Sequence, residues 1–391
     1  MNSEVTGLVD SYSGRLSELD VHYLSAKYYG ANDTASGRST FNLIGDTGLY
    51  HITFSFPRLD TPYRIDGRDL LYNGEALPFR VDFVERFNAS VGRYYYCRHF
   101  DHVTPTLDGE RVLNINFIRQ CFNCKFCQYE LYRAQPNISV EEGFRRIMAE
   151  GGLYDLTKID YIAVVTGLCG GGEKVLEFLT QIVVTAAKNG FKGQLFYMGF
   201  ELGDPRLIEK LLEIISTNGL SGLRLAYTLE LFENRGSFIH GMKSRESLPS
   251  VVSRLSEIST MGLDLLEYSY IPGLDQYDAF MRGAEMLHGI ADPHICIYRP
   301  WKVGQWEEQV SSDYKEMGPK YLCDMRLFYE DMLGRQVFGN QLANLWPFPR
   351  GRFDPRWESW RITGDDDFSR YWEGLVDPRK CSIHHGEDNG K

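Results

Sequence analysis

The chain contains no run of 18 uninterrupted apolar residues, the length at which a helix begins to span a bilayer. It has no excess of positive charge: 42 Lys and Arg stand against 53 Asp and Glu, a formal net charge of −11. It also has no basic run interleaved with aromatics, and a groove that tracks phosphates needs both features. Internal repeats and low-complexity tracts are missing. The opening Met1-Asn2-Ser3-Glu4-Val5-Thr6-Gly7 lacks the basic-then-apolar order of a secretory signal. These absences predict a cytoplasmic protein with no nucleic-acid or membrane partner. Cysteine is scarce, at 8 in 391 residues, too thin for the framework of a small disulfide-rich secreted domain. Reduced thiols are expected.

Against that scarcity, one stretch stands out: Phe117-Ile118-Arg119-Gln120-Cys121-Phe122-Asn123-Cys124-Lys125-Phe126-Cys127. Three of the 8 cysteines fall within it at Cys-x2-Cys spacing, close enough to turn onto one metal or cluster. Thiolates suit zinc or iron–sulfur ligation. Structural zinc takes four ligands, with Cys97, His99, His102 and Cys169 as candidates for the fourth. Three thiolates alone leave one iron of a [4Fe-4S] cluster open. The spacing by itself leaves both readings standing.

With 43% hydrophobic residues the chain can bury a large core. Residues 1–45 read as an irregular lead-in with one helix near 15–29. Residues 46–97 read as a small strand-rich module, in which Tyr72-Asn73-Gly74-Glu75 is turn-like. From residue 111 strands and helices alternate. Strands are predicted at 112–118, 161–166, 195–200, 223–229, 265–270 and 294–298, and helices at 138–148, 174–189, 205–217, 248–260 and 277–288. Six strands joined by helices predict a parallel α/β core with right-handed connections. Six units curl into a partial (β/α)6 barrel, since full closure takes eight; an open doubly wound sheet is the alternative. This divides the chain into an N-terminal lead-in and strand-containing module over 1–110, a β/α core over 111–298, and a Pro- and Trp-rich C-terminal extension over 299–391 with a helix at 314–333. Ligands belong at the carboxyl ends of parallel strands. The cysteine loop follows the first strand, and the turn Thr166-Gly167-Leu168-Cys169-Gly170-Gly171-Gly172-Glu173 follows the second. Its glycines permit positive φ and close backbone approach, which serves a nucleotide or a simple helix entry equally.

On the cysteine loop, with Phe126 immediately before Cys127, and on the six-unit β/α core, residues 111–298 resemble the radical SAM (S-adenosylmethionine) superfamily. The usual signature is Cys-x3-Cys-x2-Cys with an aromatic before the third cysteine; here the second gap matches and the first is one residue short. The resemblance implies a partial barrel in which Cys121, Cys124 and Cys127 hold a [4Fe-4S] cluster whose open iron chelates the amino and carboxylate groups of S-adenosyl-L-methionine. It implies reductive cleavage to methionine and a 5′-deoxyadenosyl radical that takes hydrogen from a small-molecule substrate, with electrons from a reducing partner such as flavodoxin or ferredoxin. It further implies that Phe126 and Ile271 contact the adenine, that Gly171, Gly172 and Glu173 match the Gly-Gly-Glu element facing the SAM amino group, and that Glu201 and Glu230 reach the ribose. Arg235 and Lys243 become partners for the SAM carboxylate.

For the substrate, Arg299 can hold a carboxylate or phosphate bidentately, and Tyr270 or Tyr298 can donate a proton or hydrogen atom. Trp301 lies nearby. His294, at the start of its predicted strand, reads as structural. Cys296, Cys323 and Cys381 are isolated, so no auxiliary cluster is expected, and no cobalamin domain is evident. Lyase, rearrangement, cyclisation and redox chemistry in biosynthesis all remain open, because one scaffold hosts many reactions. The alternative is a zinc-stabilised α/β ligand-binding protein without radical chemistry.

Overall fold

A computed structural model describes residues 4–33, 40–44, 48–53, 61–83, 87–88, 99–100, 112–117, 124–127, 139–149, 155–167, 170–239, 241–298, 305–334, 348–349 and 382–383. Cys97, His102, Cys121, Cys169, Arg299 and Trp301 lie outside them.

Two helices lead the chain, α1 (Glu4–Ser11) and α2 (Glu18–Tyr29), where the sequence suggests an irregular lead-in with a single helix. The second starts at Glu18 because Ser17 caps it. The Ser17 hydroxyl accepts from the Asp20 N–H at 3.2 Å and the Asp20 carboxylate accepts from the Ser17 N–H at 2.7 Å, a reciprocal box that satisfies first-turn donors. Residues 19–28 of α2 are all buried, so the helix is covered on every side. Strands β1 (Asn32–Asp33), β2 (Thr40–Ile44), β3 (Gly48–Thr53), β4 (Tyr63–Asp66), β5 (Asp69–Tyr72) and β6 (Glu75–Phe83) form a mostly antiparallel sheet in the order β1-β4-β5-β6-β2-β3. The β5–β6 hairpin turns on Asn73 and Gly74, both at positive φ (52° and 90°). A two-residue hairpin turn of that handedness matches strand twist and selects Asn-Gly. Short strands β7 (Phe87–Asn88) and β8 (His99–Phe100) follow.

The remaining strands build a parallel sheet: β9 (Val112–Phe117), β10 (Tyr161–Thr166), β11 (Gln194–Gly199), β12 (Gly222–Glu230), β13 (Leu265–Tyr270) and β14 (Asp292–Ile295). Helices α3 (Val140–Ala149), α4 (Gly172–Lys188), α5 (Pro205–Thr217), α6 (Arg235–Phe238), α7 (Leu248–Ile258) and α8 (Tyr277–Leu287) lie between them in the chain. Neighbours in the sheet follow chain order from β9 to β14, and β8 adds an antiparallel edge beside β9. A doubly wound sheet reverses its order at a switch point; this one does not. Consecutive right-handed crossovers put their helices on one face, and the packing agrees. Ile162, Val164, Leu195, Tyr197, Leu223 and Leu225 join the helices in the main core, while Tyr161, Ala163, Phe196 and Ala226 form a separate cluster on the other face. The two edge strands, β8 and β14, do not pair with each other, so the described residues form no closed barrel.

Downstream, α9 (Gln305–Gln309), α10 (Ser312–Met317) and α11 (Lys320–Leu333) are followed by β15 (Phe348–Pro349) on the edge of β3 and β16 (Ser382–Ile383) paired with β7. The single helix expected at 314–333 is two helices, because Gly318 sits at φ 62° and Pro319 cannot continue the first. Helix α11 packs on α2 through a buried ion pair, Arg326 Nη1 to Asp20 Oδ1 at 2.6 Å, with Glu330 accepting from Arg326 Nε at 3.0 Å. Among the described residues no helix is long and apolar enough to cross a membrane.

Candidate functional site

Cys124 and Cys127 stand on one tight turn beyond β9, closed by the Cys127 N–H donating to the Cys124 carbonyl at 2.9 Å. Both side chains are half-buried. The loop is held from two directions. The Lys125 N–H donates to the Phe238 carbonyl at 2.9 Å, and its ammonium lies 5.9 Å from the centre of the Phe238 ring, both on α6 beyond β12. Gln309 Nε2 donates to the Lys125 carbonyl at 2.9 Å, and Gln309 Oε1 accepts from the Tyr298 hydroxyl at 3.0 Å. This relay joins the cysteine turn to the segment after β14. Phe126 is packed into the main apolar core. The spacing of cysteines gave no sign of Gln309, which lies 184 residues from Lys125 in the chain.

The glycine turn sits at the end of β10. Gly170 and Gly171 have φ of 101° and 116°, a region that side chains with a Cβ rarely enter. Their N–H groups donate to one oxygen of Glu201 at 3.0 and 2.6 Å, so the carboxylate at the end of β11 fixes the turn. A Cβ on Gly172 would fall 2.7 Å from the Glu201 carbonyl and 2.4 Å from Leu207, which is the close approach that requires glycine there. Glu173 points out to solvent and lies 3.6 Å from Lys210. An open cleft of about 490 Å³ is lined by Gly171, Gly172, Phe200, Glu201, Glu246 and Arg254 among others. Arg254 reaches Glu246 at 2.6 Å, and the second Glu246 oxygen accepts from the Tyr227 hydroxyl at 2.7 Å.

Glu230 ends β12 at φ 73°, where the register against β13 shifts. A non-glycine residue in that region is uncommon and points to a site under constraint. Its carboxylate is paired with buried Lys243. Arg235 donates to the carbonyls of Leu229, Leu231 and Lys243 at 2.7, 2.8 and 2.9 Å, which gathers three segments around the end of β12 on one guanidinium. Burial lowers its pKa. Arg235 and Lys243 therefore hold the end of β12 together. Tyr270 is fully buried, its ring stacked on Phe232 at 4.7 Å, and burial raises its pKa well above the ordinary range. Ile271 donates its N–H to the Glu230 carbonyl at 3.0 Å. Tyr298 stacks on Trp306 at 6.5 Å; burial and then Glu307 and Glu308 raise its pKa.

Asp275 is a site residue that sequence reasoning missed. It accepts from the N–H groups of Phe232 and Glu233 at 2.8 and 3.2 Å, bracing the loops after β12 and β13. Burial raises its pKa to about 6 against the effect of those hydrogen bonds. A lone Asp in a turn carries no sequence signal of such a role.

No protein-family model matches the chain, and no curated protein matches it. Among solved structures, Streptococcus suis SuiB bound to S-adenosylmethionine is similar to 56% of this chain, with 12% identity and a TM-score of 0.36. A second structure of Streptococcus suis SuiB gives the same values. The matches cover 47% and 46% of those chains, less than half of their length. The similarity is remote.

Proposed function

We propose that the chain is a radical SAM enzyme in which Cys121, Cys124 and Cys127 hold a [4Fe-4S] cluster and S-adenosyl-L-methionine binds across the carboxyl ends of the parallel strands. The observation that carries this reading is a three-thiol loop directly beyond the first strand of a six-stranded parallel sheet in chain order, with a glycine turn at the end of the second. Two of the three donors support it: Cys124 and Cys127 share one turn, are half-buried, and are anchored through Lys125 from two other strand ends. When bound, the cluster and SAM supply an electron and a group that removes hydrogen from a substrate carbon.

The chain's own residues bind, orient and exclude water. Glu201 holds Gly170 and Gly171 so that the turn keeps its shape without a ligand, a preorganisation that spares ordering cost on binding. Glu173 is free to meet the SAM amino group, its nearest ionic neighbour being an exposed lysine. The Tyr298–Gln309–Lys125 relay fixes the substrate end of the site relative to the thiols, with Arg299 next to Tyr298 in the chain to take a substrate anion. Tyr270 and Phe232 stack in the main core behind the end of β13 and give that strand end a rigid backing. The substrate is a small molecule, the reaction a lyase, rearrangement, cyclisation or redox step in biosynthesis, and the electron donor a flavodoxin- or ferredoxin-type protein in the cytoplasm. The division into 1–110, 111–298 and 299–391 follows the same reading.

Anaerobic reconstitution tests it. Iron and sulfide analysis should give one cluster per chain whose EPR spectrum after reduction changes on adding SAM, with 5′-deoxyadenosine as product. Cys124→Ala should abolish that product while the protein stays folded by circular dichroism. Tetrahedral zinc with no cluster under the same conditions would overturn the reading in favour of a zinc-stabilised binding protein.

A further inference from the structure

Aromatic rings stand in unbroken contact from the segment that anchors the cysteine turn to the surface of α2. The inner end is Tyr298. Its hydroxyl donates to Gln309 Oε1 at 3.0 Å, and Gln309 Nε2 donates to the Lys125 carbonyl at 2.9 Å, between Cys124 and Cys127. The Tyr298 ring lies nearly parallel to the Trp306 indole, with centroids 6.5 Å apart and planes 19° apart. Trp306 meets Tyr28 edge-on at 5.4 Å, and Tyr28 meets Tyr29 edge-on at 4.9 Å. These are the spacings of touching aromatic pairs. Trp306 and Tyr28 are buried, whereas Tyr29, the last residue of α2, is half-buried. The Tyr29 hydroxyl donates to Oε2 of the exposed Glu4 at 3.0 Å.

The two ends differ in what they can do with a proton. Taking an electron from a phenol makes its proton strongly acidic, so a tyrosine is readily oxidised only beside a base. An indole gives up an electron without that need, because its radical cation is a much weaker acid. Tyr29 has a base, the Glu4 carboxylate, within proton-transfer reach. Burial, and then Glu4, raise the Tyr29 pKa, which keeps the phenol protonated until an electron leaves. Tyr298 has only an amide oxygen. A second branch of rings runs inward from Trp306 through Tyr314, Tyr321 and Phe280 to Tyr270, at 5.5, 4.8, 6.4 and 5.5 Å. It meets no base: the Tyr270 hydroxyl has no hydrogen-bond partner among the described residues, and the Tyr268 and Tyr329 hydroxyls bond to each other at 3.0 Å. Tyr12 and Tyr227 donate to Asp324 and Glu246, but no ring contact among the described residues joins either to Trp306. On this network an electron deficit settles at Tyr29.

We propose that Tyr298, Trp306, Tyr28 and Tyr29 carry an electron hole from the cysteine turn to the surface, with Glu4 taking the Tyr29 proton. The oxidant is a radical stranded at the turn, either a carbon radical that has met no substrate or a thiyl radical on a cysteine. It gains an electron from the rings and a proton from water, and ends as a C–H or S–H group. Trp306 passes the electron on and is restored. Tyr29 becomes a phenoxyl radical, and its proton goes to Glu4 and then to water. A thiol in solution returns a hydrogen atom to Tyr29, and two of the resulting thiyl radicals join as a disulfide. The route spares thiols whose continued oxidation ends in irreversible acids. The carbon radical rests on the reading above, but the route is tested without iron or SAM, so either can fail alone.

The test is flash photolysis of the full-length native protein at a near-ultraviolet wavelength that tryptophan alone absorbs, with hexaamminecobalt(III) to take up the ejected electrons. The tryptophan-radical absorption should decay as the tyrosyl absorption grows. A nitrone spin trap in a parallel sample should be found on Tyr29 by peptide mass spectrometry. Trp306→Phe should cut the trap on Tyr29 several-fold. Tyr29→Phe, which keeps the ring and loses only the hydroxyl, should lengthen the life of the tryptophan radical. Glu4→Gln should slow tyrosyl formation several-fold and reduce its heavy-water isotope effect, and Glu4→Asp should restore part of the rate; a merely structural contact would move neither. Absence of trap on Tyr29 in the native protein overturns the proposal, as does a folded Trp306→Phe protein with the same yield on Tyr29. Should Trp306→Phe not fold, Tyr29→Phe decides, and an unchanged tryptophan-radical lifetime there overturns the route.

Discussion

Two buried histidines, one in each half of the molecule, carry opposite consequences. His22 on α2 is 4% exposed and His294 on β14 is 7% exposed. His22 meets the Tyr63 hydroxyl at 2.9 Å and is boxed by the rings of Tyr63, Tyr72 and Phe79 at centroid distances of 6.0, 5.5 and 5.7 Å. Burial alone lowers it to about 4, because Glu18, 3.9 Å away, is half exposed. His294 is raised to about 10 against its own burial, by Cys296 first and then by the buried Glu267 carboxylate 3.5 Å away. Equal burial therefore does not decide charge; the nearest countercharge and its own exposure do. The same contrast holds for the acids. Asp20 accepts from Ser17 and from Arg326, whereas one Glu267 oxygen has only the 3.5 Å approach of His294. In the N-terminal half this buried charge is spent on packing. Inside β13, one Glu267 oxygen has no such partner.

The largest way to break that comparison is to remove Arg326. Arg326→Ala leaves Asp20 buried without its countercharge, and losing one partner of a buried pair costs about 3–5 kcal/mol. Urea denaturation should show it as a drop in midpoint at unchanged slope. Replacing both residues by apolar ones of similar size should recover much of the loss, since the pair's own desolvation cost goes with it. A small effect of Arg326→Ala would place the α2–α11 contact among the exposed, weak ion pairs.

The next largest effect is in pH. His22 has a folded-state pKa near 4 against 6.5 when unfolded, so its contribution is present above 6.5 and is lost as pH falls towards 4, on the order of 3 kcal/mol in full. His294 is raised to about 10 from 6.5; its contribution is present below 6.5 and is lost as pH rises through 10. Urea midpoints from pH 4 to 10 should fall on both sides for the native chain. His22→Gln should flatten the acid limb and His294→Gln the alkaline one. If both variants change the same limb, the two histidines are not opposites.

Much of the parallel sheet was legible because buried strands write themselves as apolar runs: 161–166 and 265–270 coincide with β10 and β13. The Asn73-Gly74 hairpin was legible through its dipeptide. The sixth strand was placed two residues late because Asp292-Pro293 reads as a turn. It is a strand there because β14 is an edge, where a residue with no N–H to give is tolerated. That shift moved His294 from the supposed start of the strand to its carboxyl end. Helix α1 was missed because Gly7, Val5 and Thr6 have weak propensity; packing holds it, with Val5 fully buried. The cysteine and glycine loops announced themselves by composition. Asp275 and Gln309 did not, and neither did the hold of Glu201 on Gly170 and Gly171, since these roles depend on distant backbone atoms that only the fold brings near.

The smallest expected effect on stability sits at Glu173, and it separates folding from function. Its side chain is 75% exposed and its contact with Lys210 is 3.6 Å, an exposed pair worth roughly 0–1 kcal/mol. Glu173→Gln should accordingly leave the urea midpoint almost unmoved. If the glycine turn receives SAM as proposed, the same variant should weaken SAM binding by calorimetry, because the lost charge faces the ligand's ammonium and not the protein. Glu201→Gln is the necessary partner experiment: its carboxylate holds Gly170 and Gly171, so that change should lower stability and SAM binding together. Two acids at one turn, Glu173 on it and Glu201 reaching it from β11, would then divide, one left available to a ligand and the other serving the fold. Equal losses of SAM affinity and stability in both variants would show instead that the turn is a structural unit throughout.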